Sequence, residues 1–175
     1  MKKLSNIICL ITLLALCIFT GCSSQEKETF SSSVEQFCDN VKSTISKNEG
    51  LDGLSLESAE LSEDEESATV SVKVSGSDVG FYFLSPSSED STSVDMIIAS
   101  FRDDVKGKDY YKMLNAAWMA FDVELTYEEA NEITDELNDI ALFGGDTIEK
   151  NNITYSVMGM SDNMCIMGAS KVSNN

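Results

Sequence analysis

The chain has no histidine anywhere in its 175 residues. Ser-His-Asp triads, Cys-His pairs and histidine-containing metal sites are therefore closed to it. A Ser-Lys arrangement survives that exclusion, but no motif supports one. Basic residues are scarce as well: 12 Lys and Arg stand against 30 Asp and Glu, a formal net charge of −18. A surface of that sign disfavours nucleic acid and anionic lipid headgroups, and it favours solubility and cationic partners. The sequence has no glycine-rich phosphate loop, because Phe143-Gly144-Gly145-Asp146 follows a helical pattern instead of opening one. An Asp/Asn/Gly calcium-loop pattern is missing too.

What is present starts with the leader. Lys2 and Lys3 open the chain, an apolar run extends from Leu4 to Phe19, and Thr20-Gly21-Cys22 follows. A short basic region, an apolar stretch and small residues at a cut define an export signal. The apolar run is also readable as an uncleaved transmembrane anchor, since about 17 residues is the lower limit for spanning. Phe19-Thr20-Gly21-Cys22 resembles the lipobox of bacterial lipoproteins, in which a Cys after a small residue receives a diacylglyceryl group. Leu is the usual residue where this chain has Phe19. The resemblance covers the leader alone. It implies a signal peptide over 1–21, lipidation at Cys22, a lipidated tether over 22–29 and a single domain over 30–175. Either reading of the leader places residues 23–175 outside the cytoplasm, and the lipid reading anchors them to the cell membrane.

Each buried CH₂ of an acyl chain contributes about 0.8 kcal/mol, so two chains hold stably where one holds marginally. Residues 23–29 (SSQEKET) are polar and span at most about 25 Å. The domain therefore stays near the bilayer, and its expected partners are the membrane itself and a neighbouring envelope or membrane protein. No cofactor beyond the covalent lipid is implied. Loss of Lys2 and Lys3 with the leader moves the net charge from −18 to −20. Loss of Cys9 and Cys17, with Cys22 acylated, leaves Cys38 and Cys165 of the five cysteines. An exported pair can form a disulfide or remain as two buried thiols. Cysteine use this sparse leaves stability to a hydrophobic core.

Residues 30–47 carry Phe30, Val34, Phe37, Val41 and Ile45 at spacings of three and four, the stripe of an amphipathic helix. Leu54 and Leu56 then alternate with polar residues, and Glu63-Asp64-Glu65-Glu66 reads as a turn. Ala68, Val70, Val72 and Val74 alternate strictly, as in a half-buried strand. Gly76-Ser77-Asp78 turns the chain into Val79–Leu84. Pro86 with residues 87–93 reads as a polar loop, and Val94–Phe101 as a fourth strand or a helix. Tyr110, Leu114, Ala117 and Phe121 form a second helical stripe, with Tyr111 and Trp118 beside it. Thr126 and Glu129 form a capping box for a third helix, with Leu125 and Ala130 at the staple positions. Ala130, Ile133, Leu137 and Ile140 are its buried face, and Gly144 fits its end. Thr147–Lys150, an Asn151-Asn152 turn, Ile153–Val157 and Met164–Val172 complete the chain as strands. The pattern predicts an α+β fold: an antiparallel sheet of about five to seven strands packed against an N-terminal helix and a pair of central helices.

Three constellations could carry chemistry. Glu128, Glu132, Asp135 and Asp139 fall on one helix face, where like charges cost a few tenths of a kcal/mol each. A basic partner or a cation would offset that, and a plain solvated face is the simpler reading. Arg102, Lys106, Lys108 and Lys112 cluster within eleven positions, and could meet lipid headgroups or a ligand carboxylate. Pairing with Asp103, Asp104, Asp109 or the acidic face is the preferred reading. Met158, Met160, Met164, Cys165 and Met167 gather soft sulfur ligands of the kind that suit Cu(I). A three-residue turn would put Met160 opposite Met164. A two-residue turn would put Met158 opposite Met167 and Met160 opposite Cys165, so that all four share a face. Met also fills irregular cores. The overall layout resembles that of small lipoproteins of Gram-positive bacteria, which implies no activity. The expected function is a non-enzymatic, membrane-tethered binding or accessory module. The alternatives are a cation or soft-metal (Cu or Ca) binding lipoprotein and a carboxylate-based cell-envelope hydrolase.

Overall fold

A computed structural model describes residues 29–75, 78–87, 94–99, 108–141, 145–161 and 164–172. The leader, Cys22, Arg102, Lys106 and Gly144 lie outside the described residues. Helix α1 (Phe30–Lys47) begins at a capping box: Thr29 Oγ1 accepts from the Ser32 N–H, and Ser32 Oγ accepts from the Thr29 N–H at 2.9 Å. Its expected stripe is the buried face, with Phe30, Val34, Phe37 and Val41 all buried. Asn48 ends the helix, and one 3₁₀ turn (Glu49–Leu51) leads to the sheet.

The strands are β1 (Ser55–Leu61), β2 (Ala68–Ser75), β3 (Asp78–Pro86), β4 (Val94–Ala99), β5 (Asp146–Lys150), β6 (Ile153–Ser161) and β7 (Met164–Lys171). Helices α2 (Lys108–Phe121) and α3 (Tyr127–Ala141) separate β4 from β5. All pairings are antiparallel, in the order β1-β2-β3-β4-β7-β6-β5. The fold is therefore α+β, with seven strands, one N-terminal helix and two central helices. Pro86 closes β3 instead of belonging to the following loop. It pairs with Val94 but lies beyond Leu84, the last β3 residue paired with β2, so its missing N–H removes no bond from that ladder. Asn151 and Asn152 both have left-handed φ, 53° and 60°, as a two-residue β5–β6 hairpin turn requires.

One cross-sheet row explains where the core sits. Leu61, Ala68, Leu84, Met96, Ala169, Tyr155 and Ile148 stand opposite one another along the seven strands, so they share a face. All three helices cover that face. Phe37 of α1 meets Tyr82 edge-on at 5.8 Å, Tyr82 Oη donates to the Met113 carbonyl of α2 at 2.8 Å, and Trp118 of α2 meets Tyr155 edge-on at 5.4 Å. Helix α3 is tied to β5 by Lys150 Nζ, 2.9 Å from Glu129. Helix α2 differs from the expected single stripe: Met113–Ala120 are buried without a break. It lies between the sheet and its two helical neighbours, so it has no solvent face in that stretch. The opposite sheet face carries the row Glu60, Thr69, Phe83, Ile97, Gly168, Ser156 and Thr147. Among the described residues no helix covers it. Phe81 and Phe83 are exposed there, with ring centroids 6.5 Å apart, and so is Met158.

Candidate functional site

The helix layer stops short at one side of the sheet. In the covered row Ala68 is 2% exposed and Leu84 1%, but Leu61 at the β1 end is 40% exposed. Leu56 and Ala59 are also incompletely covered. Between this end of the sheet and α1 lies an open groove of about 610 Å³. Its apolar lining comes from Val34 and Cys38 on α1 and from Leu56, Ala59 and Leu61 on β1. Glu35, Asp39 and Glu57 supply carboxylates, and Lys42, the one cation lining it, lies 3.1 Å from Asp39. Cys38 is a free thiol, and burial pushes its pKa up, so it stays protonated and a poor nucleophile at neutral pH. The groove exists because β1 is irregular. Its register shifts between Leu56 and Ser58, which moves the apolar positions from Leu56 to Ala59 and Leu61. The turn after Leu61 is Glu63-Asp64-Glu65-Glu66. There Ser62 Oγ and the Glu66 N–H donate to Asp64, which holds its carboxyl below the usual range. A second, smaller groove of about 280 Å³ lies between α1 and the α2–α3 turn, where Val123 is exposed.

Of the residues singled out from the sequence, Cys38 lines the larger groove, and the acidic face lies elsewhere. Glu128, Glu132, Asp135 and Asp139 line the outer face of α3, all exposed, with Ala130, Ile133 and Leu137 buried behind them. Asp135 accepts from Asn131 Nδ2 at 3.2 Å. Tyr111 of α2 lies against this face, and its hydroxyl pKa is raised by burial first and by Asp135 next. Neither groove reaches these carboxylates. Lys112 differs from the expected pairing, because its ammonium donates to the Asp52 carbonyl at 2.7 Å. Lys108 is exposed at the start of α2.

For the sulfur residues the two-residue alternative does not hold, and from Ile153 to Gly159 the register is the one that a three-residue turn gives. The β6–β7 register places Val157 opposite Met167, Met158 opposite Ile166, and Gly159 opposite Cys165, with a shift between Gly159 and Ser161. Met158 and Met167 therefore lie on opposite faces: Met158 is 61% exposed and Met167 is fully buried. Only the backbone is described at Met160, Met164 and Cys165. The disulfide is not made either, since Cys38 is free. Cys38 lines the groove against β1, whereas Cys165 is on β7, with β2, β3 and β4 between. Strands lie about 4.8 Å apart, and a disulfide needs Cα atoms within about 7 Å.

A buried polar set joins the helices to each other and to the β5–β6 hairpin. Thr134 Oγ1 accepts from Trp118 Nε1 at 3.0 Å and donates to Asn115 Oδ1 at 2.7 Å. Asp122, 5% exposed, accepts from Asn151 Nδ2 at 2.9 Å and Tyr155 Oη at 3.2 Å. Burial first and Asp122 second push the Tyr155 hydroxyl pKa upward. Every one of these polar atoms is engaged within the fold, so the set is an architectural element. The sequence reading named Val34, Cys38 and Leu56 but not the groove they line, although one signal of it was there. Apolar positions Leu56 and Ala59 are three apart, which breaks the period of two and marks a bulge. The sequence matches no known protein family and no curated protein, and the fold matches no solved structure, so the α1–β1 groove is defined by its own residues alone.

Proposed function

We propose that this protein is a membrane-tethered, extracytoplasmic lipoprotein that acts as a binding or accessory module without catalysis of its own. The supporting observation is the position of the α1–β1 groove. Ser31 lines it, two residues from the Thr29 cap at which the described chain begins. The groove thus opens beside the end of the domain that the short tether joins. A tether spanning at most about 25 Å would hold the groove within reach of the bilayer surface. Its lining of half-covered apolar side chains ringed by carboxylates suits another protein better than it suits an anionic headgroup.

The test is an in-cell crosslinking pull-down of the chain, with Cys22→Ala as the released control. The expected result is a membrane-protein partner recovered with intact Cys22 and lost with the variant. Partition of both forms into the soluble fraction would end the lipoprotein reading. Equal recovery of the same partners by both forms would end the claim that the tether directs binding.

A further inference from the structure

We propose that the outer edge of β1 takes up an extended, basic segment of a partner protein as an eighth strand, whose apolar side chains rest in the α1–β1 groove. The inference rests on the groove being the binding site and adds what enters it.

Backbone geometry is the first ground. β1 ends the sheet and, among the described residues, pairs with β2 alone. An edge strand presents unpaired N–H and C=O groups to any chain that can lie alongside. The bulge at Glu57 blunts the first half of this edge, whereas Ser58, Ala59, Glu60 and Leu61 continue in unbroken register with Ser71, Val70, Thr69 and Ala68. The other edge, β5, is different on its helix side. Lys150 is held by Glu129 and Ile148 packs against the core, so α3 occupies the space that an added strand's side chains would need. At β1 that space is the open groove. Its volume of about 610 Å³ is within the range of established ligand sites, roughly 300–1,000 Å³.

Charge decides the occupant. Glu35, Asp39 and Glu57 line the groove, Glu60 stands on the strand itself, and four acidic residues follow at 63–66. Lys42 and Asp39 offset each other, which leaves Glu35 and Glu57 as the groove's net negative charge. Because side chains alternate across a strand, apolar residues at every second position rest on the groove floor, and the Lys or Arg between them stand on the other face, beside Glu60. A second copy of this chain would bring the same carboxylates edge to edge, where like charges in facing positions repel.

The test uses the full chain purified from membranes in a nonionic detergent. The probe is an acetylated, amidated peptide of about seven residues alternating Lys and Val, long enough to line the strand. Hydrogen exchange at neutral pH, and alkylation of Cys38 at raised pH where its thiol begins to ionise, are read by mass spectrometry. The peptide is expected to slow amide exchange over 58–61 and leave β5 unchanged, to shield Cys38, and to lose affinity as salt rises. A Glu–Val peptide and a Lys–Val peptide N-methylated at alternate residues are expected to do neither. Glu57→Lys with Glu60→Lys, both at exposed positions, is expected to weaken binding roughly tenfold. Shielding of Cys38 without slowed exchange in β1 would overturn strand addition and leave the groove reading standing. No change at either place would overturn both. Equal action by the N-methylated peptide would also overturn strand addition.

Discussion

Thr134 is buried completely and is still polar, which is costly unless each of its partners is kept. Its hydroxyl bridges Trp118 and Asn115 of α2, so one side chain of α3 fixes how the two helices meet. Thr134→Val keeps the shape and leaves the Trp118 N–H and the Asn115 carbonyl unpaired. Unfolding in urea, followed through the single tryptophan, should show a loss of about 2–4 kcal/mol; an unchanged midpoint would remove the network from the account. Neither Asn115 nor Thr134 stood out in the sequence. Each is an ordinary helix residue until α2 and α3 are placed face to face, and the same holds for Asp122, whose partners Asn151 and Tyr155 come from a distant hairpin.

Helix α3 shows how much a single element can disclose. Thr126 and Glu129 bond reciprocally, with the Glu129 N–H donating to Thr126 Oγ1 and the Thr126 N–H to Glu129 Oε2 at 2.9 Å. Glu129 is also held by Lys150, and this bond first, with Thr126 next, holds its carboxyl down to about 2. A carboxyl depressed in the folded state contributes its stability above the unfolded pKa of about 4.3 and loses it as pH falls through the folded value. Glu129→Gln should therefore lower the melting temperature at pH 7, and the gap to the parent should close as pH falls from about 4.5 to about 2. A gap independent of pH in melting curves would show that the ionised Glu129 contributes nothing. The cap and the buried face were legible because they depend on residues within one or two turns. The β6–β7 register was legible only as two alternatives. It depends on a shift between Gly159 and Ser161 that no residue type announces, and a displacement of one residue decides whether Met158 faces Met167 or turns away from it. Helix α2 was legible as a helix but not as the central one, since its burial on every side is conferred by its neighbours.

At the scale of the molecule, the excess of carboxylates and the one-sided helix layer dominate. A formal charge of −18 over the chain opposes compaction by self-repulsion. Raising NaCl from about 10 mM to about 500 mM shortens the screening length from roughly 30 Å to about 4 Å. The melting temperature should rise by about 3 °C, corresponding to roughly 1 kcal/mol. A fall over the same range would mean that favourable ion pairs outweigh the repulsion. Such a fall would conflict with the described ion pairs, Lys42–Asp39 and Lys150–Glu129, which are few and partly exposed. Period, capping and composition, which act within a few residues, determined by themselves the α+β class, the helix and strand positions, the acidic surface and the chemistries closed to a chain without histidine. Only the tertiary structure decided the strand order, the separation of Cys38 from Cys165 and of Met158 from Met167, and the groove left where the helices fail to cover β1. Each of those depends on which distant segments share a face, and that is settled by burying one continuous core across seven strands at once.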